Sequence, residues 1–155
     1  MLLREHFPQL TGWKLTLIAS DISEAMLSRA RAGAYSQIEV NRGLPAPLLV
    51  KYFRRIDGEW QIAEDLRRAI EFRRVNLTTA WPFMPAMDII LMRNVLIYFD
   101  VPTKKAVLAR VRRQLKPGGY LMLGGGESTM GLDDSFAPAQ FGKAICYRAA
   151  ARMAA

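Results

Sequence analysis

The run Met87-Asp88-Ile89-Ile90-Leu91-Met92 is apolar at five of its six positions, with no alternation between apolar and polar residues. A strand with one wet face alternates, whereas an unbroken apolar strand belongs to a parallel sheet covered on both faces by helices. The run therefore predicts an α/β fold. It is cut by Arg93 and Asn94 before apolar residues resume at Val95, Leu96 and Ile97. In open parallel sheets ligands bind beyond the carboxyl ends of the strands. A polar pair abutting a buried strand therefore marks where core gives way to site.

The rest of the chain repeats the alternation of strand and helix. Residues 13–20 read as a strand closed by Asp21 and followed by a helix, with Ser23 as N-cap, Met26, Leu27 and Ala30 on its apolar face, and Gly33 as its stop. Residues 48–53 predict a short helix, and 53–64 a hairpin turning on Asp57-Gly58. Further strands are expected at 69–77, 87–92, 119–125 and 143–149. A helix from Asp100 to Leu115 carries Val107, Leu108, Val111 and Leu115 on one side and ends at Lys116-Pro117-Gly118-Gly119. Residues 2–12 read as the tail of a helix, and 149–155 as a biased, frayed end. The glycine-rich turn that opens a nucleotide-binding sheet is not found before residue 13.

A length of 155 residues suits one domain. The single cysteine, Cys146, excludes a disulfide framework and a paired-cysteine metal site, and reads as a small core residue in a reducing compartment. No apolar run is long enough to cross a bilayer, and Arg4, Glu5 and His6 interrupt any export signal at the N-terminus. The expected location is the cytoplasm, without membrane insertion. The net charge of +8 is concentrated in Arg67, Arg68, Arg73 and Arg74, and in Lys104, Lys105, Arg110, Arg112, Arg113 and Lys116. Charge alone does not choose between solvated helix faces and a surface for an acidic partner.

Three strands end in polar residues at one edge: Asp21, Asn76 and Arg93-Asn94. A carboxylate closing a strand can accept hydrogen bonds from both hydroxyls of a ribose. Each residue also has a plain alternative, Asp21 as a helix cap or turn residue and Asn76 as a loop amide. Arg93 is costly beside a buried run unless it has a partner. Together they point to an adenosine-type ligand.

The segments IASDIS, FRRVNL, IILMRNVLIYFD, LKPGGYLMLGGGES and FGKAICYR follow one another in the order and spacing of the chemotaxis-receptor methyltransferases, the CheR family. The chain resembles that family from residue 15 to about 148. The RNVLIYFD block followed by LKPGG is the specific part. The resemblance implies an incomplete class I, Rossmann-like methyltransferase sheet, mostly parallel. A small β-subdomain at 40–68 would be inserted in a single domain spanning 1–155.

The resemblance further implies S-adenosyl-L-methionine as cofactor, S-adenosyl-L-homocysteine as product, and γ-glutamyl methyl esters formed on the cytoplasmic domain of a methyl-accepting chemoreceptor. By the family pattern Asp21 would hold the ribose, Asn76 and Leu77 would border the adenine, and Arg93 and Asn94 would lie under the methionine portion. Tyr98 would face the transferred methyl group; a tyrosine there also suits plain packing. No metal is implied. Nucleic-acid methylation is not supported, because neither an Asn/Asp-Pro-Pro-aromatic block nor a Pro-Cys nucleophile is present. The tight hairpin, with one glycine, implies a member that does not use the receptor's C-terminal pentapeptide as a tether. The family's N-terminal helical domain and first glycine-rich strand are missing, so the chain is expected to bind cofactor weakly and turn over little. A non-catalytic module that docks on receptors or a signalling partner is the alternative.

Overall fold

The pattern of caps and turns in the sequence fixes most of the elements. In the computed structural model, residues 1–150 are described; 151–155, most of the tail read as frayed, lie outside them. The chain divides into two compact units, one from Met1 to Val75 and one from Asn76 onward.

The first unit opens with the short helix α1 (Leu2–His6), followed by a 3-10 turn at Pro8–Leu10. Strand β1 (Leu17–Asp21) leads to α2 (Glu24–Ala32), where the Ser23 hydroxyl accepts from Met26 N and Gly33 closes the helix at φ 67°. A side chain at Gly33 would be strained by that φ and would also stand 2.7 Å from Ile62 Cγ2. Next come β2 (Ala34–Tyr35), α3 (Gln37–Val40) and α4 (Ala46–Tyr52). A hairpin follows, of β3 (Phe53–Ile56) and β4 (Glu59–Ile62). Asp57 and Gly58 take φ 48° and 85°, two successive left-handed residues, as a two-residue hairpin turn of type I′ requires.

The strands β2, β4 and β3 form an antiparallel sheet in that order, so the small sheet recruits residues 34–35, ahead of the expected 40–68. Its core is Tyr52, Phe53 and Leu66, with Tyr35 meeting Phe53 edge to face at 5.9 Å. After α5 (Glu64–Arg68), strand β5 (Ile70–Arg74) pairs in parallel with β1, Asp21 opposite Arg74.

The second unit is built on β6 (Met87–Met92) and α6 (Val101–Gln114), followed by β7 (Leu115–Leu123), β8 (Phe136–Phe141) and β9 (Ala144–Ala149). Its sheet runs β6-β7-β9-β8, with β6 and β7 parallel and the β8–β9 hairpin antiparallel. Helix α6 lays Val107, Leu108 and Val111, all fully buried, against Leu115 and Leu121, and Cys146 is buried in β9. The strand β8 contains Pro138 and was not anticipated, because proline in a run argues against a strand unless the strand is an edge, which this one is. Lys116-Pro117-Gly118-Gly119 does not follow the helix as a loop. It forms a bulge inside β7, between the pairs Met87–Leu115 and Ile89–Tyr120, where a side chain at Gly119 would meet Asp88 O at 2.9 Å.

One expectation fails in part. Strand β6 is not covered on both faces: Met92 is buried, whereas Ile89 and Leu91 are 54% and 69% exposed. Among the described residues this unit supplies a single α-helix, and its core gathers on the Ile90–Met92 side of the strand.

The N-terminus of α6 gives a direct test of capping. Asp100 Oδ1 accepts from Thr103 N at 3.0 Å, and this bonding with Thr103 holds its carboxyl below the usual range. Asp100→Ala should lower the midpoint of urea unfolding. An unchanged midpoint would show that the cap contributes nothing.

Candidate functional site

The predicted residues stand at strand ends, in two groups. Asp21 closes β1 in the first unit; Asn76, Leu77, Arg93, Asn94 and Tyr98 belong to the second. Main-chain bonding runs from Val75 N to Asp21 O at 3.0 Å, which sets the residue after β5 beside the end of β1.

Asp21 is exposed, and its Oδ1 accepts from Ser23 N at 2.8 Å, a turn bond of the kind expected of an aspartate before a helix. Its second carboxylate oxygen accepts no hydrogen bond among the described residues, which leaves lone pairs for an external donor. Asn76 behaves similarly: its Oδ1 accepts from Thr78 N at 3.0 Å and from the Thr78 hydroxyl at 2.8 Å, while its amide nitrogen is left without a partner among the described residues. The turn roles weighed for both residues are thus real, and each still presents one unused polar atom. Leu77 packs on the core of the second unit, and its carbonyl accepts from Trp81 Nε1 and Arg110, each at 3.4 Å.

The end of β6 answers the question its sequence raises. Arg93 is exposed and pairs with no carboxylate among the described residues, so the cost expected of a buried charge does not arise. The constrained member is Asn94, which takes φ 57°. Asparagine is among the few residues with a side chain that enter this left-handed region readily. Tyr98 ends the 3-10 turn Leu96–Tyr98 and is 79% exposed, so it is not a packing residue.

A residue that sequence reasoning passed over organises this edge. Glu127, in the glycine-rich segment after β7, accepts four main-chain hydrogen bonds. Its Oε2 receives Asn94 N and Gly124 N, both at 2.7 Å, and its Oε1 receives Val95 N at 2.8 Å and Leu96 N at 2.7 Å. Burial pushes the Glu127 carboxyl up, but the four N–H groups of Gly124, Asn94, Val95 and Leu96 outweigh it and hold the group below its ordinary value. Gly124 is buried against this carboxylate, and a Cβ there would stand 2.7 Å from Glu127 Oε2 and 2.9 Å from Asn94 N.

A cavity of about 70 Å³ lies beside Glu127, lined by Leu96, Ile97, Lys104, Gly126, Ser128 and Leu132. A larger one of about 280 Å³, among Arg31, Arg67, Arg68, Ile70 and Phe72, touches none of the predicted site residues. Its arginines are already engaged: Arg31 with Glu24, Arg67 with Ala32 O and Glu64, and Arg68 with Glu64. In the second unit Arg110 and Arg112 donate to the carbonyls of Leu77 and Ala150, and Lys116 pairs with Asp88 at 2.9 Å. Many of the basic side chains that stand out in the sequence thus have partners within the chain.

The family model described as "CheR methyltransferase, SAM binding domain" matches residues 1–145. The chain belongs to this family. CheR relatives among curated proteins include chemotaxis protein methyltransferase 1 of Pseudomonas aeruginosa and chemotaxis protein methyltransferase Cher2 of Pseudomonas putida. Each is 38% identical over 134 residues, which is 86% of this chain and 49% of the relative. The chain thus spans about half the length of the curated relatives it matches. Among solved structures, the N-methyltransferase NodS from Bradyrhizobium japonicum WM9 superposes with a TM-score of 0.50 at 14% identity, covering 87% of this chain and 74% of that one. At that identity the likeness establishes the fold, a class I methyltransferase architecture. No helix of the described residues is long and apolar enough to cross a membrane.

Proposed function

We propose that this CheR chain carries the S-adenosylmethionine-binding half of an enzyme that methylates glutamate side chains of a chemoreceptor in the cytoplasm. The observation that carries the reading is the family match over residues 1–145, taken with unused polar atoms at the strand ends. The donor set fits the cofactor. The open oxygen of Asp21 suits the hydroxyls of a ribose, the free amide of Asn76 with the Leu77 side chain suits the edge and face of an adenine, and the exposed Arg93 guanidinium suits a carboxylate. Asn94 and Tyr98 complete the edge on the methionine and methyl side.

When bound, the cofactor supplies an activated methyl on a positively charged sulfur. A glutamate carboxylate is already ionised and nucleophilic at neutral pH, so displacement needs no strong base from the protein. What the chain must provide is alignment and exclusion of water. Tyr98, exposed beside the end of β6, is the residue we assign to orienting groups at the reacting atoms. Transfer to the carboxylate would leave a neutral ester and a neutral thioether, so the chain would have no proton to move, and its own residues would only hold and align the two reactants.

The test is calorimetric titration of the chain with S-adenosylhomocysteine, repeated with Asp21→Ala. Binding should weaken by about tenfold or more in the variant, equivalent to about 1.4 kcal/mol. Equal affinity in both would remove Asp21 from the site. Absence of binding to the unmodified chain would show that these residues do not suffice to hold the cofactor in this chain.

A further inference from the structure

Four main-chain N–H groups from two separate strand ends converge on Glu127: three successive ones at Asn94, Val95 and Leu96, and a fourth at Gly124. Successive N–H groups pointing inward form a concavity that attracts anions. Here the chain supplies its own anion. The contact spans more than thirty residues of sequence, and Glu127 is itself fixed by the bond from its own N–H to Gly124 O at 3.0 Å.

We propose that Glu127 is a positioning residue. By accepting these four bonds its carboxylate locks the Arg93–Asn94 turn in the left-handed form in which Arg93 and Asn94 can meet the cofactor. The inference rests on the cofactor reading above but names a residue outside that set. The logic is that of acceptor supply. Asn94 at φ 57° is less favourable than an extended or helical asparagine, and two of the four bonds fix the peptide units on either side of it. With the nest already filled by Glu127, its N–H groups are not open to a ligand carboxylate. That leaves the Arg93 guanidinium as the group at this turn free to receive one.

The amide of glutamine makes the discriminating variant. Glu127→Gln keeps the shape, yet it has one acceptor oxygen, and its NH2 would face two N–H donors. Glu127→Asp keeps the charge and shortens the reach by one methylene. The experiment combines amide hydrogen exchange with titration by S-adenosylhomocysteine, on the whole chain. In Glu127→Gln, exchange at Asn94, Val95, Leu96 and Gly124 should accelerate by about tenfold or more, while Leu108 and Leu121 in the core exchange as before. Cofactor-product affinity should fall by a similar factor, with Glu127→Asp recovering part of both effects. Unchanged exchange at the four amides overturns the clamp. Accelerated exchange with unchanged affinity overturns the positioning role. If the unmodified chain takes up no S-adenosylhomocysteine, these residues do not suffice to hold the cofactor in this chain, and the exchange data alone decide whether Glu127 holds the turn.

Discussion

Alanine at Gly124 should lower the stability of the second unit by about 1–3 kcal/mol and weaken binding of S-adenosylhomocysteine together with it. Gly124 does not have a positive φ, so the substitution carries no intrinsic backbone penalty; the conflict is one of space. The added methyl would fall 2.7 Å from Glu127 Oε2, 2.9 Å from Asn94 N and 3.1 Å from Asn94 Cγ. Two of these atoms belong to one hydrogen bond, so relief requires moving the carboxylate or the turn it holds. The neighbouring glycines are a built-in control, because a Cβ at Gly125 or Gly126 meets nothing within 4 Å. Urea unfolding and calorimetry of Gly124→Ala beside Gly125→Ala would check this. Equal behaviour of the two variants would contradict it.

Leu108→Ala should cost more, about 2–5 kcal/mol. Leu108 is fully buried on α6, with Val107 and Val111 alongside and Leu115 and Leu121 within the same core. Its removal leaves a void among side chains held between one helix and one sheet, where few neighbours can collapse inward. The exchange rate of the Leu121 amide, which reports opening of β7, should rise by about thirtyfold or more. A change under about threefold would mean that the core refills the space.

The sequence carried the elements whose cause is local. Ser23 and Gly33 bracket α2, Asp100 caps α6, and Asp57-Gly58 turns the hairpin, because each depends on a few adjacent residues. The strand at 87–92 was legible from its unbroken apolar run. Its burial was not, because covering a second face takes partners that a run of six residues cannot specify. Two strands escaped notice for opposite reasons: β2 is only two residues long, and β8 hides behind Pro138. Lys-Pro-Gly-Gly has the composition of a helix stop, and it does follow one, but its glycines serve the bulge in β7.

The polar residues closing β1 and β6 stand out against apolar runs, so Asp21, Arg93 and Asn94 could be singled out as candidates, and the turn roles of Asp21 and Asn76 were legible. The importance of Asn94 over Arg93 was not, because it lies in a backbone angle. Glu127 was hidden most completely. A glutamate among glycines looks like a solvated loop charge, and its partners are main-chain atoms, which have no letter in the sequence. The one available signal was that LGGGES leaves a single acidic side chain where a strand end must satisfy its N–H groups.

The borders of the four-stranded sheet are unlike. At β8, Pro138 takes away a main-chain donor. At β6 there is no proline, and Ile89 and Leu91 stand in solvent. Only one of the two borders therefore carries a residue that discourages an added strand.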